Sequence, residues 1–225
     1  MKIIELEETD STNNYLKRLG GEDAIVTALR QTAGRGTKGR SFASADGGLY
    51  ISVLKNYQNF PAENAFRIMI NSCVGVCETL KQFGISPTIR WANDVLAQGK
   101  KICGTLIENT FSGNFISRSI VGMGINVNNV LPEDLRGIAI SMREICGGEL
   151  PFDKVKSALI KNLSKSFTIE DYKKHIDWFG KTVTIKTGEG EFEAEALDVA
   201  PDGRLIVRRD SEVLKISSAE VSLRL

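Results

Sequence analysis

The spacing of apolar and polar residues predicts alternating strands and helices along most of the chain. An apolar run at 3–6 predicts a strand, and the polar run 10–13 after it can cap a helix that ends at the glycine pair 20–21. The apolar run 24–29 predicts a second, buried strand. The polar run therefore lies at the start of a helix, directly after a strand.

A third strand is predicted at 49–54, where apolar and more polar residues alternate. A long amphipathic helix follows, with Pro61 in its first turn and Gly84 at its end. Its apolar positions recur at helical spacing: 65, 69, 73, 76, 80 and 83.

The middle of the chain contains strand-like segments punctuated by glycine and asparagine, at 88–94, 101–108 and 115–127. Their close spacing and a turn at 112–114 predict an antiparallel meander. Amphipathic periodicity then predicts two more helices, over 152–167 and 171–178.

The pattern changes after residue 179, where short alternating segments and polar turns replace the helices. Five short strands are predicted, with turn signals at 188–190 and 201–203. Closely spaced strands of this kind favour a small β-barrel. We therefore expect a larger α+β domain over 1–178 and a small barrel domain over 179–225.

Composition is that of an ordinary globular protein. Of the 225 residues 42% are hydrophobic, and 29 basic residues against 28 acidic ones leave a net charge of +1, which predicts no general affinity for nucleic acid or membranes. The acidic start lacks the apolar core of a signal peptide, and no apolar run reaches the roughly 18 residues of a membrane span, so a cytoplasmic location is predicted. The four cysteines form no CxxC pair, which favours reduced, mostly buried thiols over a zinc site.

The loop between the second and third strands is rich in glycine and in basic residues. Within 31–42 it contains three glycines together with Arg35, Lys38 and Arg40, a composition suited to holding a carboxylate or phosphate. It nearly fits the phosphate-binding P-loop, but Arg40 replaces the lysine and a strand follows in place of a helix. By itself the loop is either an anion-binding site or a solvated basic turn.

Other segments combine polar groups with predicted strand ends: 10–13, 90–94 followed by 100–104, and 122–126. In order and spacing, these segments and the basic loop closely resemble the biotin–protein ligases, whose motifs are a GRG-rich loop, a K/R-W-P-N-D segment, a KxxG pair and a G-x-G-I-N strand. The resemblance covers residues 3 to about 130, and the predicted barrel that ends with 219–224 is similar to the family's C-terminal domain. It implies a mixed β-sheet with packed helices, as in class II aminoacyl-tRNA synthetase catalytic domains, joined to a Src-homology-3-like barrel.

The resemblance implies an enzyme that attaches biotin to a carrier protein in two steps. The biotin carboxylate attacks the α-phosphate of MgATP to give biotinyl-5′-AMP and pyrophosphate. A lysine of a biotin carboxyl carrier protein, of the acetyl-CoA carboxylase type, then takes the biotinyl group. Biotin, ATP and Mg²⁺ are the expected small-molecule partners. Because both reacting groups are anions, this chemistry needs cations that screen their repulsion.

The resemblance also implies roles for individual residues. Arg35 and Lys101 are the expected catalytic residues, in contact with the carboxylate and the α-phosphate. The expected biotin-binding residues are Ser11, Thr12, Asn13, Gln31, Gly34, Arg35, Gly36, Thr37, Lys101 and Gly104. The expected ATP-binding residues are Arg35, Arg40, Phe42, Asn93 and Asn126. Asp94 is the expected Mg²⁺ ligand, because a carboxylate offers hard oxygen atoms.

Simpler structural roles remain open for several of these residues. Ser11 and Asn13 can cap a helix, Phe42 can belong to the core, and Asn126 can be a turn residue at a strand end. Trp91 is expected to pack in the core.

Two positions depart from the family pattern. Ala92 replaces the usual proline of W-P-N-D, which relaxes a backbone constraint beside Asn93 and Asp94. Thr37 stands where many relatives have a second arginine. We therefore expect retention of the adenylate to depend more on Arg35 and on backbone N–H groups than in those relatives.

The expected partners follow from the same resemblance. Members that also repress transcription carry an N-terminal helix-turn-helix domain, for which the residues before Asp10 leave no room, so we expect a monofunctional ligase that binds neither DNA nor membranes. Edge strands beside the site could pair two subunits into a homodimer. Two other functions stay open: a lipoate–protein ligase with the same adenylate chemistry, and a non-catalytic module that binds RNA or a carrier protein.

Overall fold

The computed structural model describes residues 1–187, 190–217 and 222–224. The helices are α1 (Thr12–Leu19), α2 (Phe66–Lys81), α3 (Met142–Cys146), α4 (Phe152–Leu163) and α5 (Ile169–Lys173). The strands are β1 (Lys2–Thr9), β2 (Ala24–Gln31), β3 (Leu49–Pro61), β4 (Pro87–Arg90), β5 (Asp94–Ala97), β6 (Lys100–Ser112), β7 (Phe115–Ile125), β8 (Thr182–Lys186), β9 (Glu191–Val199), β10 (Leu205–Arg209), β11 (Glu212–Ile216) and β12 (Ser222–Arg224).

The first seven strands form one mixed sheet in the order β1-β2-β3-β7-β6-β5-β4. β1 runs parallel to β2, and every other neighbouring pair is antiparallel. The mixed sheet with packed helices and the antiparallel meander of β4 to β7 are confirmed. The meander places the ends of β5, β6 and β7 side by side.

Helices cover the two faces of this sheet unequally. On one face α1 packs, and its fully buried Leu16 joins Val26, Leu54 and Ile120 in a small apolar cluster. On the other face α2 packs with α4 and α5 over the main core. Because α1 is eight residues long, it leaves part of its face over β6 and β7 uncovered.

The last five strands form a second, antiparallel sheet in the order β11-β10-β9-β8-β12. Its end strands β11 and β12 do not pair among the described residues, so the strands form an open sheet where a closed barrel was predicted. The turn at 201–203 is confirmed, whereas residues 188–189 of the other predicted turn and 219–221 of the family-like terminal segment lie outside the described residues. The division at residue 178 stays a prediction.

Four predictions about single elements need correction. Pro61 does not lie in the first turn of the long helix, because it still pairs with β7 and precedes a short 3₁₀ helix, Ala62–Asn64, while α2 begins only at Phe66. The predicted strand 88–94 is interrupted by a turn at 91–93 between β4 and β5. The last predicted helix ends at Lys173, well before 178.

The fourth correction concerns the helix predicted over 152–167, which ends at Leu163. A further helix, α3, was not predicted; it begins with a capping box formed by Ser141 and Glu144. Among the described helices, none combines the length and the apolar character that crossing a membrane requires.

A turn of the small sheet packs directly on the large one. The buried indole N–H of Trp91 donates to the carbonyl of Gly203 at 2.9 Å, and Trp91 is a core residue as predicted. Gly203 has φ 88°, and a Cβ there would overlap the Phe66 ring. Gly203 is therefore required both by its backbone conformation and by its packing.

We predict that Gly203→Ala destabilises the protein more than Gly180→Ala. Gly180 has a similar φ of 76°, but a Cβ added there would meet nothing within 4 Å, so its substitution costs only the backbone strain, about 1–2 kcal/mol. Gly203→Ala adds overpacking against Phe66, about 1–3 kcal/mol more in the free energy of unfolding measured with denaturant. Equal losses in the two variants would contradict this packing.

Candidate active site

A cavity lies on the α1 face of the large sheet, between α1, the basic loop and the strands β6 and β7. Four predicted residues form its polar wall: Ser11, Thr12, Asn13 and Gln31. Four from the basic loop form its cover: Arg35, Gly36, Thr37 and Phe42. Asn93, Lys101 and Gly104 line it from the sheet. The fold thus brings four separate sequence segments to one cavity.

Paired glycines form the floor of the cavity. Gly104 of β6 lies opposite Gly124 of β7, and Leu106 lies opposite Gly122, so these residues share one face of the sheet. The Phe42 ring packs where a Cβ on Gly124 would be, and a Cβ on Gly104 would lie 3.2 Å from it. Glycines on adjacent strands therefore let an aromatic ring approach the backbone closely.

Phe42 is half-buried over this floor and is not a core residue. Its ring makes an edge contact with Tyr50, with 6.4 Å between centroids, and the Lys101 ammonium lies 5.7 Å from its centroid. This ring position, next to a cation and above a glycine floor, suits stacking on a planar ligand group.

The polar wall is a chain of hydrogen bonds. Gln31 Oε1 accepts from the Thr12 backbone N–H at 2.8 Å, while its Nε2 donates to Ser44. Ser52 Oγ lies 2.7 Å from Thr12 Oγ1 and 2.6 Å from Asn13 Oδ1. Because the Asn13 amide oxygen can only accept, Ser52 donates its one proton to it, and the Thr12 hydroxyl donates to Gln31 or to Ser52. The wall therefore has a definite order of donors and acceptors.

The side chains of Ser11 and Asn13 do not cap α1. Ser11 occupies the N-cap position of α1, but its side chain makes no cap hydrogen bond. Asn13 bonds to Ser52 and donates to Glu108 at 2.9 Å. Both side chains are almost fully buried and line the cavity.

An ion triad positions Lys101 at the edge of the floor. Asp94 Oδ2 accepts from Arg90 at 2.7 Å, and Asp94 Oδ1 lies 2.7 Å from Lys101 Nζ. The second contact is an ion pair without the alignment of a hydrogen bond, and Asp94 Oδ1 has no other partner among the described residues. Lys101 is thus held mainly by charge and keeps donors available for another anion.

Asp94 does not fit the predicted role of Mg²⁺ ligand. Its two oxygens already face two cations, which would repel a metal ion. Within the described ranges no three His, Cys, Asp or Glu side chains come together as a metal site. A Mg²⁺ ion that enters this cavity would instead be carried by phosphate groups, as is usual for this ion.

The basic loop is folded back on itself. Gly36 N–H donates to the Arg40 carbonyl at 2.6 Å, and Phe42 N–H donates to the Gly34 carbonyl at 2.9 Å. Arg35 reaches across to Asn14 Oδ1 and Glu108 Oε1, each at 3.1 Å. Arg35 therefore connects the loop to α1 and to the large sheet.

Three predicted contacts are not brought to the cavity. Gly34 is needed for the loop's own closure, since a Cβ there would overlap Ser44 and the Phe42 carbonyl. Arg40 is exposed and does not line the cavity. Asn126 is buried below it, donates to the Ile140 carbonyl at 3.2 Å and accepts from Asn129.

Sequence reasoning missed two glycines that line the cavity and two residues, Ser52 and Glu108, that hydrogen-bond to its lining residue Asn13. Gly122 and Gly124 lie in a recognised motif, and their alternation on one strand is a signal of close approach that was not used. Ser52 faces the same side as the polar wall, which the alternation in β3 could have shown. Glu108 had no local signal.

Ionisation in and below the cavity follows from these contacts. Burial alone would raise the pKa of Glu108, but hydrogen bonds from Lys17 and Asn13 and the charges of Lys17 and Arg35 lower it overall. Burial raises the pKa of the Cys73 thiol to about 12 and that of Cys103 well above its usual range. The carboxylate is therefore charged at neutral pH, and neither thiol can act as a nucleophile.

Comparison with known proteins matches both parts of the chain to one kind of enzyme. Residues 6–126 match the model of the "Biotin/lipoate A/B protein ligase family", and 179–224 match the "Biotin protein ligase C terminal domain". The chain belongs to the biotin/lipoate A/B protein ligase family. The first match alone spans more than half of the chain.

Individual relatives of this family are similar over nearly the whole chain. The R40G mutant of the biotin protein ligase from Aquifex aeolicus, solved with biotin, is 30% identical with a TM-score of 0.83, covering 100% of this chain and 98% of that one. The same enzyme solved with biotin and ATP gives 31% identity and a TM-score of 0.79, over 99% and 98%.

A curated relative extends beyond this chain. The "Bifunctional ligase/repressor BirA" of Bacillus subtilis (strain 168) is 29% identical over 219 residues, which is 90% of this chain. The match spans about two thirds, 66%, of that relative's length.

We predict that Ser52→Ala lowers the free energy of unfolding by about 1–3 kcal/mol, because it leaves a buried acceptor of the polar wall unpaired. Ser72→Ala is the matched control. Ser72 is also buried, but its hydroxyl donates to the carbonyl of Ile68 one turn earlier in α2, a group that the helix already bonds. Denaturant unfolding should separate the two variants, and a loss for Ser52→Ala no larger than the control's would contradict the wall.

Proposed function

We propose that this chain is an ATP-dependent biotin–protein ligase, which forms biotinyl-5′-AMP from biotin and MgATP and then transfers biotin to a lysine of a biotin carboxyl carrier protein. One observation carries the proposal: the cations Arg35 and Lys101, from distant segments, line the same cavity as a wall of buried hydrogen-bonding groups. Biotin is complementary to both features, because its carboxylate is an anion and its ring is polar.

The first step needs positive charge where two anions meet. The biotin carboxylate oxygen bonds to the α-phosphorus of ATP, and pyrophosphate leaves with the electron pair of the broken P–O bond. Lys101 and Arg35 offset the repulsion between the reactants and stabilise the charge that builds up on the phosphoryl oxygens. Because both cations are already oriented by carboxylates, little reorganisation is needed at the moment of reaction.

In the second step the uncharged amine of the carrier lysine attacks the carbonyl carbon of the mixed anhydride. AMP leaves, and the nitrogen loses a proton as the amide forms. No nucleophile from the protein is required, in agreement with the protonated thiols below the floor. The part of the protein is to orient the reactants and to exclude water under the loop.

The polar wall favours biotin over lipoate as the substrate. The ureido ring of biotin offers two N–H donors and a carbonyl acceptor, whereas the dithiolane ring of lipoate offers no comparable groups. Hydroxyl and amide groups of the wall can exchange their mutual bonds for bonds to the ureido ring, whereas the dithiolane gives them no partner. The hydrogen-bonded chain from Gln31 to Asn13 supports this preference.

Three further properties of the protein are predicted. A cytoplasmic location, a homodimer formed through edge strands, and the absence of DNA binding are consistent with the proposed activity but do not follow from the cavity.

We predict that Lys101→Met abolishes adenylate formation while the fold is retained, since a flexible apolar chain occupies a similar volume. Lys100→Met is the matched control, because Lys100 points out to the Arg136 carbonyl at 3.0 Å. The measurement is biotin-dependent pyrophosphate release, followed by mass added to the lysine of a carrier domain. The proposal fails if the wild-type protein transfers no biotin, or if both variants lose activity equally.

We predict that Thr37→Arg slows release of the adenylate from the protein. Thr37 lines the cavity with an uncharged side chain, so an arginine there would add a charged hydrogen bond to phosphate, about 1.5–3 kcal/mol or at least tenfold in the off-rate. The off-rate is followed after adenylate formation without carrier protein. An unchanged off-rate would contradict the hypothesis that the uncharged Thr37 makes retention depend on Arg35 and the loop backbone.

A further inference from the structure

Glu108 accepts hydrogen bonds from three donors at the rim of the cavity, two on α1 and one on the basic loop. It stands on β6 with its side chain 21% exposed. Its Oε1 accepts from Lys17 of α1 at 2.7 Å and from Arg35 of the basic loop at 3.1 Å, and its Oε2 accepts from Asn13 at 2.9 Å. A strand, a helix and a loop therefore meet at one carboxylate.

Two of these three donors, Asn13 and Arg35, also line the cavity, and their contacts with Glu108 orient both side chains. Because Asn13 donates its Nδ2 to Glu108, its Oδ1 is turned toward Ser52. Within the described residues the Arg35 guanidinium has one further partner, Asn14, at 3.1 Å. Without Glu108, only this uncharged contact would join the Arg35 side chain to the rest of the described structure.

The contact with Glu108 leaves Arg35 available to a substrate. Lys17 and Arg35 are 44% and 43% exposed, so neither is locked away from solvent. The Arg35 contact is the longer of the two and involves one nitrogen, which leaves the other donors of the guanidinium available to an anion in the cavity. Glu108 can therefore hold Arg35 while Arg35 binds a substrate anion.

We infer that Glu108 is a positioning residue, which ties Arg35 of the basic loop and Asn13 of the polar wall to the large sheet and so keeps the loop closed over the cavity. A strand holds such an anchor more rigidly than a loop does. The closure of the loop does not depend on the proposed function. Its consequence for adenylate retention rests on that function.

The loop provides its own probe of closure, because it contains the trypsin sites Arg35, Lys38 and Arg40. Limited trypsin digestion of the ligand-free full-length chain, mapped by mass spectrometry, reports how often the loop opens. Glu108→Gln should raise cleavage at these three sites about two- to fivefold, the range for a partly exposed ion pair. Cleavage elsewhere in the chain should not change.

Matched variants separate anchoring from general loosening. Glu149→Gln removes another Arg–Glu contact of 3.1 Å, to Arg143, away from the loop, and should leave loop cleavage unchanged. Lys17→Met removes the charged donor on Glu108 that comes from α1 and should also have little effect. Glu108→Asp keeps the negative charge but moves it farther from Arg35 by one methylene group, so an intermediate rate of loop cleavage is expected. This variant also tests the inference if Glu108→Gln does not fold.

A second readout tests the consequence for the reaction. Glu108→Gln should release preformed biotinyl adenylate several-fold faster than the wild-type protein and should bind biotin no more tightly. Unchanged loop cleavage in Glu108→Gln and Glu108→Asp would overturn the inference. Tighter biotin binding by Glu108→Gln would also overturn it, because the carboxylate would then be a competitor for Arg35. If the wild-type protein forms no adenylate, the proposed function fails while the cleavage result still decides the anchor.

Discussion

The balance between two carboxylates and four cations determines the arrangement of the site. Asp94 holds Arg90 and Lys101, and Glu108 holds Lys17 and Arg35, in contacts of 2.7 to 3.1 Å. Cations gathered this closely would otherwise repel one another by energies on the order of kcal/mol at partly buried positions. Because Asp94 stands on β5 and Glu108 on β6, the cations are fixed relative to the glycine floor.

The same balance explains how the cavity can be stable when empty and still attract anions. The side chains of Lys101 and Arg35 remain 30% and 43% exposed. A carboxylate therefore balances the charge of each cation while the cation stays accessible. A ligand carboxylate or phosphate would meet cations that are already oriented, above a floor whose glycines admit a flat group closely. The uncharged polar wall then discriminates between ligands by hydrogen bonds, while the charges attract any anion.

Sequence patterns predicted those parts of the fold and site that depend on local spacing. Lys101 and Gly104, or Arg35 and Gly36, stand close together in the chain, so their residue types alone suggested a shared ligand. Glu108 could not be found in this way, because its partner Asn13 is 95 residues away. Pro61 suits both a helix start and a strand end, and only its pairing with β7 decides between them. Asn126 and Asp94 have suitable residue types, but tertiary partners already occupy their polar atoms.

The central claim is that oriented cations in this cavity recognise the carboxylate of biotin. The most direct measurement compares binding of biotin and of its uncharged amide by calorimetry, in the wild-type protein and in Lys101→Met. A hydrogen bond to a charged group contributes about 1.5–3 kcal/mol, so biotin should bind the wild-type protein at least about tenfold more tightly than the amide. The difference should shrink in the variant. Equal affinities of the acid and the amide for the wild-type protein would contradict the account.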